Sequence, residues 1–247
     1  MRYFAKIKYL GTDFHGFQVQ PDKRTVQGVL CEALANALGS PCRVTGCSRT
    51  DAGVHANEFC ITVDCDGATV PFDKLPLSVA RFLPPDLSLY YSSSCDDGFH
   101  VRYDCLSKEY LYRIKNAPVY DPFEFGRAWF LPRQIDSCAL DNMRLAASHI
   151  LGEHDFRCFM ADGSDTEDTV RNVHYIHIDN DEDLIEIRIC ANGFLYNMVR
   201  IIVGTLIEVA YGRIAPDSLG TIIAKKERKN AGPTAPACGL FLNKVNY

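Results

Sequence analysis

Residues 2–10 read RYFAKIKYL and residues 25–39 read TVQGVLCEALANALG, and together they set the class of the fold. In the first, Tyr3, Ala5, Ile7 and Tyr9 alternate with Lys6 and Lys8, a period of two that predicts a half-buried strand. In the second, Val26, Val29, Leu30, Ala33, Leu34, Ala37 and Leu38 recur at helical spacing, with Thr25 placed as N-cap and Gly39 as the stop. A strand followed by an amphipathic helix is the unit of an α/β or α+β protein.

The same vocabulary continues outward. Short strands are predicted at Cys42–Thr45, Phe59–Val63 and Leu87–Ser94, with a helix at Phe72–Phe82. Beyond Tyr103 a strand at Lys108–Lys115, a helix at Ser137–Leu151 and a strand pair at Arg171–Asp179 and Asp183–Cys190 follow. Helices at Phe194–Gly212 and Pro216–Lys225 and a strand at Gly239–Val245 complete the chain. Strands mixed with helices in both halves predict two α+β units, residues 1–103 and 104–247.

A length of 247 residues suits one large or two modest domains of roughly 100–200 residues each. The mixture of 47% hydrophobic and 23% charged residues is that of an ordinary folded protein and excludes disordered and low-complexity classes. The 26 basic against 31 acidic residues give a net charge of −5, which by itself argues against a polyanionic partner. The charge is uneven, however. Residues 161–183 hold eight acids (Asp162, Asp165, Glu167, Asp168, Asp179, Asp181, Glu182, Asp183) against Arg171, and the remaining 224 residues carry a net +2. Lys6, Lys8, Arg49, Lys108 and the Lys225–Lys229 cluster are the cations expected to meet phosphates.

Eleven cysteines, an odd number without a CxxC pair or zinc spacing, read as reduced thiols of a cytoplasmic protein. The alternating amino terminus is no signal core, so secretion is not expected. The apolar run Ile201–Ile207 is far shorter than the roughly 20 residues of a membrane span.

Chemistry concentrates in the loop GCSRTDAGVHA (46–56) between two predicted strands. Asp51 and Gly53 are also ordinary turn residues, so the residues alone leave a tight turn and a catalytic loop open. A metal site on Asp51 and His55, with His15, lacks a third ligand at a defined spacing. On the otherwise apolar helix, Asn197, Arg200, Gly204 and Glu208 fall at intervals of three or four and form one stripe. A buried guanidinium there needs a carboxylate or a cavity, and Glu208, two turns away, is badly placed to serve; the alternative is an Arg200 at the domain surface that snorkels to water. Lys108, Tyr110 and Tyr112 share a strand face on which a base could stack, although strands are rich in aromatics for packing alone.

The loop closely resembles the active-site motif of the TruA-type tRNA pseudouridine synthases. DFHGFQ (13–18), TVQ (25–27), KEYLY (108–112), GEHDF (152–156), RNV (171–173), NGFLYNMVRIIVG (192–204) and APACGLFL (235–242) also resemble family blocks, in the family's order. Cys47-Ser48 and Phe17 depart from the commonest family residues without touching the catalytic groups. The resemblance implies two ferredoxin-like, RNA-recognition-like α+β subdomains that form a mostly antiparallel sheet flanked by helices, with the active-site cleft between them. It implies that Asp51 is the catalytic carboxylate, that Tyr110 stacks near the target uracil, and that Arg200 pairs with Asp51. Arg49 matches the arginine that holds the uridine out of the stack. Arg49, Tyr110, Lys108 and His55 are the expected substrate-binding set. The implied activity is isomerisation of uridine to pseudouridine in the tRNA anticodon stem-loop, by a homodimer, with no cofactor, metal or membrane. A non-catalytic tRNA-binding protein of the same fold is the alternative.

Overall fold

A computed structural model describes residues 1–164 and 166–247; Asp165, one of the acids counted above, lies outside the described residues. In chain order the elements are β1 (Arg2–Tyr9), α1 (Val26–Leu38), β2 (Cys42–Gly46), β3 (His55–Cys65), α2 (Leu75–Ala80), β4 (Leu87–Ser94), β5 (Ser107–Lys115), β6 (Trp129–Phe130) and α3 (Ser137–Ser148). They continue with β7 (Gly152–Asp155), β8 (Val170–Asp181), β9 (Leu184–Ala191), α4 (Met198–Ala210), α5 (Leu219–Lys225) and β10 (Leu240–Asn246). The fold is α+β with mostly antiparallel strand pairing. Two compact units divide the chain: Met1–Leu106 with Phe241–Tyr247, and Ser107–Leu240. The sequence reading divides the chain after residue 103 and leaves its last strand in the second unit. That strand instead returns to the first. Among the described residues no helix is long and apolar enough to cross a membrane.

In the first unit the strands run β4-β1-β3-β10. β1 is antiparallel to both β3 and β4. The far edge of β3 takes β2 antiparallel along Ile61–Cys65 and β10 parallel at His55 and Ala56. The alternation of β1 is realised: Tyr3, Ala5, Ile7 and Tyr9 are buried, and Phe4, Lys6 and Lys8 take the other face. Thr25 accepts from Gly28 N–H at the start of α1, and Gly39, at φ 73°, closes it by donating to Ala35. Burial of Leu30 and Leu34 stabilises the helix on the sheet by about 1.5–3 kcal/mol per side chain.

In the second unit β5-β9-β8-β7 are antiparallel neighbours, and β6 pairs parallel with β5. The predicted helix at 194–212 begins only at Met198. Asn197 stands before it in the left-handed region (φ 58°), which Asn tolerates and a helix interior does not. The predicted helix at 72–82 contracts because residues 72–74 form a tight 3₁₀ turn before the six residues of α2, and residues 216–218 do the same before α5. The β8–β9 hairpin turns at Glu182 (φ 53°), so Asp179, Asp181, Glu182 and Asp183 gather at its tip. Arg188 and Lys115 pair with Asp179 and Asp183 there at 2.7 and 2.6 Å.

Asp155, at the end of β7, carries a depressed carboxyl. Burial works to raise its carboxyl, but hydrogen bonds from Thr169, Lys226 and the Arg157 N–H outweigh burial and bring it down to about 2. A depressed carboxyl adds stability that is complete above its unfolded value and lost as pH falls through the folded one. Asp155→Asn is therefore expected to lower the unfolding midpoint at neutral pH and to flatten the loss of stability between about pH 4 and pH 2, measured by urea titration at each pH.

Candidate active site

The functional side chains singled out in the sequence fall into two groups, one in each unit. In the first unit the residues between β2 and β3 form a fixed loop. The Cys47 N–H donates to the Cys60 carbonyl at 2.9 Å. Thr50 is buried, with its hydroxyl 2.8 Å from that of Tyr9 and its carbonyl accepting from the Phe17 N–H at 3.1 Å. The Asp51 carbonyl accepts from the Val54 N–H at 3.2 Å, which closes a turn whose third residue, Gly53, has φ 79°. Glycine is favoured at such an angle because it has no Cβ to clash.

A second loop, carrying DFHGFQ, braces the first. The Phe14 carbonyl accepts from the Gly53 N–H at 3.2 Å. Gly16, at φ 84°, passes so close that a Cβ there would lie 2.5 Å from the Thr50 carbonyl oxygen. Arg24 lies over the Phe14 ring at 3.9 Å and holds Asp86 through two hydrogen bonds of 2.9 Å. Two motifs thirty residues apart in sequence thus make one rigid mount, with Asp51 half-buried and Arg49 exposed on it.

His55 is repositioned by the structure. Expected to contact substrate, it is fully enclosed: its Nδ1 accepts from the Gly11 N–H at 2.8 Å and its ring stacks on Phe241 at 4.5 Å. An imidazole with no exposed surface meets no RNA in this position; it supports the loop from beneath. Among the described residues no group of three or more His, Cys, Asp and Glu is placed to hold a metal ion.

In the second unit Tyr110 and Lys108 sit on β5. Tyr110 is buried, 7% exposed, and meets Phe194 edge-on at 5.0 Å, while Lys108 is half-buried. Tyr112 is core instead of a stacking surface: it is wholly buried and donates to the Pro236 carbonyl at 2.7 Å, and burial pushes its phenol well up.

Arg200 lies in the first turn of α4. Its Nε donates to the Ala235 carbonyl at 2.7 Å and its Nη1 to Asn197 Oδ1 at 2.8 Å, and the Ala235 N–H returns a bond to the Arg200 carbonyl at 3.0 Å. The stripe is thus a seam for residues 232–235. Gly204 admits the Pro233 carbonyl, and Thr205 accepts from the Gly232 N–H at 2.8 Å. Glu208 pairs instead with Arg213 at 2.7 Å. Asn197, marked in the sequence as a member of that stripe, and Ala235, which lies in the block 235–242 with nothing in spacing to mark it, are the positioning residues that hold Arg200. In the basic cluster, Lys226 pairs with Asp155 at 2.9 Å, Lys229 with Glu227 at 3.1 Å, and Arg228 donates to the Gly232 carbonyl at 2.8 Å. Part of its charge is therefore committed internally.

The family described as tRNA pseudouridine synthase matches residues 146–247. Over nearly the whole length the chain is similar to proteins named tRNA pseudouridine synthase A: 42% identical to that of Brevibacillus brevis over 241 residues (98% of this chain, 97% of that one). It is 40% identical to that of Thermoanaerobacter sp. over 241 residues (98% and 97%) and 39% identical to that of Bacillus subtilis over 249 residues (100% and 99%). A chain in the crystal structure of a Cbf5-Nop10-Gar1 complex aligns with a TM-score of 0.40 and 11% identity, covering 98% of this chain and 58% of that one, a distant likeness. With identities near 40% sustained from end to end, the chain belongs to the tRNA pseudouridine synthase A family.

Proposed function

We propose that the chain is an isomerase that converts uridine to pseudouridine in tRNA, with Asp51 as its catalytic carboxylate. The observation that carries this reading is the fixed loop around Asp51 in a chain whose relatives, matched end to end, are named tRNA pseudouridine synthase A. The reaction breaks the N1–C1′ bond, turns the uracil and joins C5 to C1′. The C5 proton leaves and N1 gains one, so atoms balance with no net oxidation and the chemistry calls for no cofactor.

Asp51 serves as an anion whether it attacks C1′, adds to C6 or assists a glycal-forming route, and in each case it must be close and shielded from water. Arg200 is assigned as its counter-charge, since an opposing charge at contact distance favours the ionised carboxylate. Tyr110 stacks near the uracil and, directly or through water, takes the C5 proton. Flipping the uridine costs a few kcal/mol of unstacking, which Arg49 and the Tyr110 ring offset, with Lys108 on the phosphates. His55 takes no direct part and keeps the loop in place. The substrate is the anticodon stem-loop at about positions 38–40 of tRNA convention, read through shape and phosphates. The working form is a cytoplasmic homodimer.

The test is pseudouridine mapping in tRNA from cells with and without this chain. The anticodon-arm pseudouridines are expected to disappear in its absence and to return with the purified protein in the presence of EDTA. Unchanged maps would reject the function, and loss of activity on chelation would revive the metal reading of Asp51.

A further inference from the structure

On the face of the first-unit sheet opposite its buried side, Phe4, Lys6 and Lys8 project from β1. The β1–β4 register slips between Lys6↔Tyr91 and Ile7↔Leu89, which leaves Tyr90 as an extra, bulged residue. Consecutive tyrosines would ordinarily point to opposite faces. Here both reach the β1 side chains: Lys8 lies 5.2 Å from the Tyr90 ring centre and Tyr91 meets Phe4 edge-on at 6.4 Å. Phe99 and Tyr247 complete an aromatic floor around Phe4, with ring centres 5.1–5.9 Å apart. A groove of about 510 Å³ opens on this floor, with Phe4, Lys6, Phe99, Lys244 and Tyr247 in its lining; Tyr90 and Tyr91 stand beside it, and Tyr90, Tyr91 and Tyr247 remain 40%, 46% and 39% exposed.

We infer that this aromatic face is a second RNA contact, which stacks a nucleotide other than the target uridine on the exposed rings of Tyr90 and Tyr91 beside the groove and holds its phosphates with Lys8 and Lys244. This rests on the tRNA reading above and adds a place on the protein that the catalytic residues do not occupy. Ring faces beside exposed cations are the pairing that single-stranded RNA uses, and every base has a face to stack. The acids do not defeat it. Glu58 is matched by Lys6 at 2.8 Å and accepts from the Tyr90 hydroxyl and the Val245 N–H, which leaves Asp96 as the other carboxylate of the lining, with Lys244 in the same groove. Along β1, Phe4 is five residues from Tyr9, whose hydroxyl holds the loop of Asp51. At about 3.4 Å per residue that is roughly 17 Å, and the two side chains leave opposite faces of the strand, so the contact is separate from the site of the target uridine.

The test is tRNA binding, by equilibrium titration, to wild type, Tyr90→Ala/Tyr91→Ala, Tyr90→Phe/Tyr91→Phe and Lys8→Ala. Loss of each ring is expected to weaken binding about tenfold, the phenylalanine pair to bind as wild type, and Lys8→Ala to lower the salt dependence by about one phosphate contact. Lys8 is exposed, so its variant keeps the inference testable if the double alanine variant does not fold. Folded alanine variants that bind within twofold of wild type, or an unchanged salt slope for Lys8→Ala, would overturn it. A wild type that binds tRNA but makes no pseudouridine would instead overturn the function proposed above.

Discussion

Asp51→Ala is expected to remove pseudouridine formation, by about 10⁴-fold or more, because on the proposed mechanism every route through the reaction needs that carboxylate. The fold should survive. The loop is held through Thr50, Gly53 and the Asp51 main chain, all of which an alanine keeps, so the thermal midpoint is expected within a few degrees of wild type and tRNA binding largely intact. The companion variant Arg200→Met tests the counter-charge. On the proposed reading, loss of the cation is expected to lower turnover while tRNA binding is kept. Undiminished turnover in a folded Arg200→Met variant would show that Arg200 serves α4 and residue 235 alone.

Gly204→Ala carries the second large effect, and here two rules predict opposite signs. Helix propensity alone favours alanine in a helix interior by about 1 kcal/mol. The seam opposes it, because a Cβ at Gly204 would lie 1.8 Å from the Pro233 carbonyl oxygen, an overlap only backbone movement can relieve. Such movement breaks the exchange between Arg200 and Ala235 and the bond from Gly232 to Thr205. Packing wins, and the variant is expected to lose about 3 kcal/mol or more in urea unfolding, with activity falling as Arg200 shifts. A stabilised variant would mean that residues 232–235 do not lie against α4.

Much of this was legible in the sequence where one local pattern decides the outcome. β1, α1 with both caps, and β4 follow from period two, period 3.6 and capping chemistry, with nothing distant needed. β6 and β7, two and four residues long, are too short to show a period. The start of α4 was misplaced because Phe194 and Leu195 continue its apolar pattern, while Asn197 breaks the backbone in a way composition does not show. The return of β10 to β3 is a parallel pairing between residues nearly two hundred positions apart. No local pattern records it. In the candidate site, density of polar residues picked out the loop of Asp51, but not that His55 faces inward to Gly11 or that Tyr112 belongs to the core. Those are matters of which face a neighbour covers. Likewise the net charge of −5 misled as a sum, since four of the acids collect at one hairpin tip and two of them are paired there.

Asp51 is proposed to make this chain a pseudouridine-forming isomerase. The most direct measurement is chemical mapping of pseudouridine in unmodified tRNA incubated with the purified protein, wild type beside Asp51→Ala. New pseudouridine is expected in the anticodon arm with wild type alone, without added cofactor, and none with the variant. Absence of product with the folded wild type, or equal product with the variant, would contradict it.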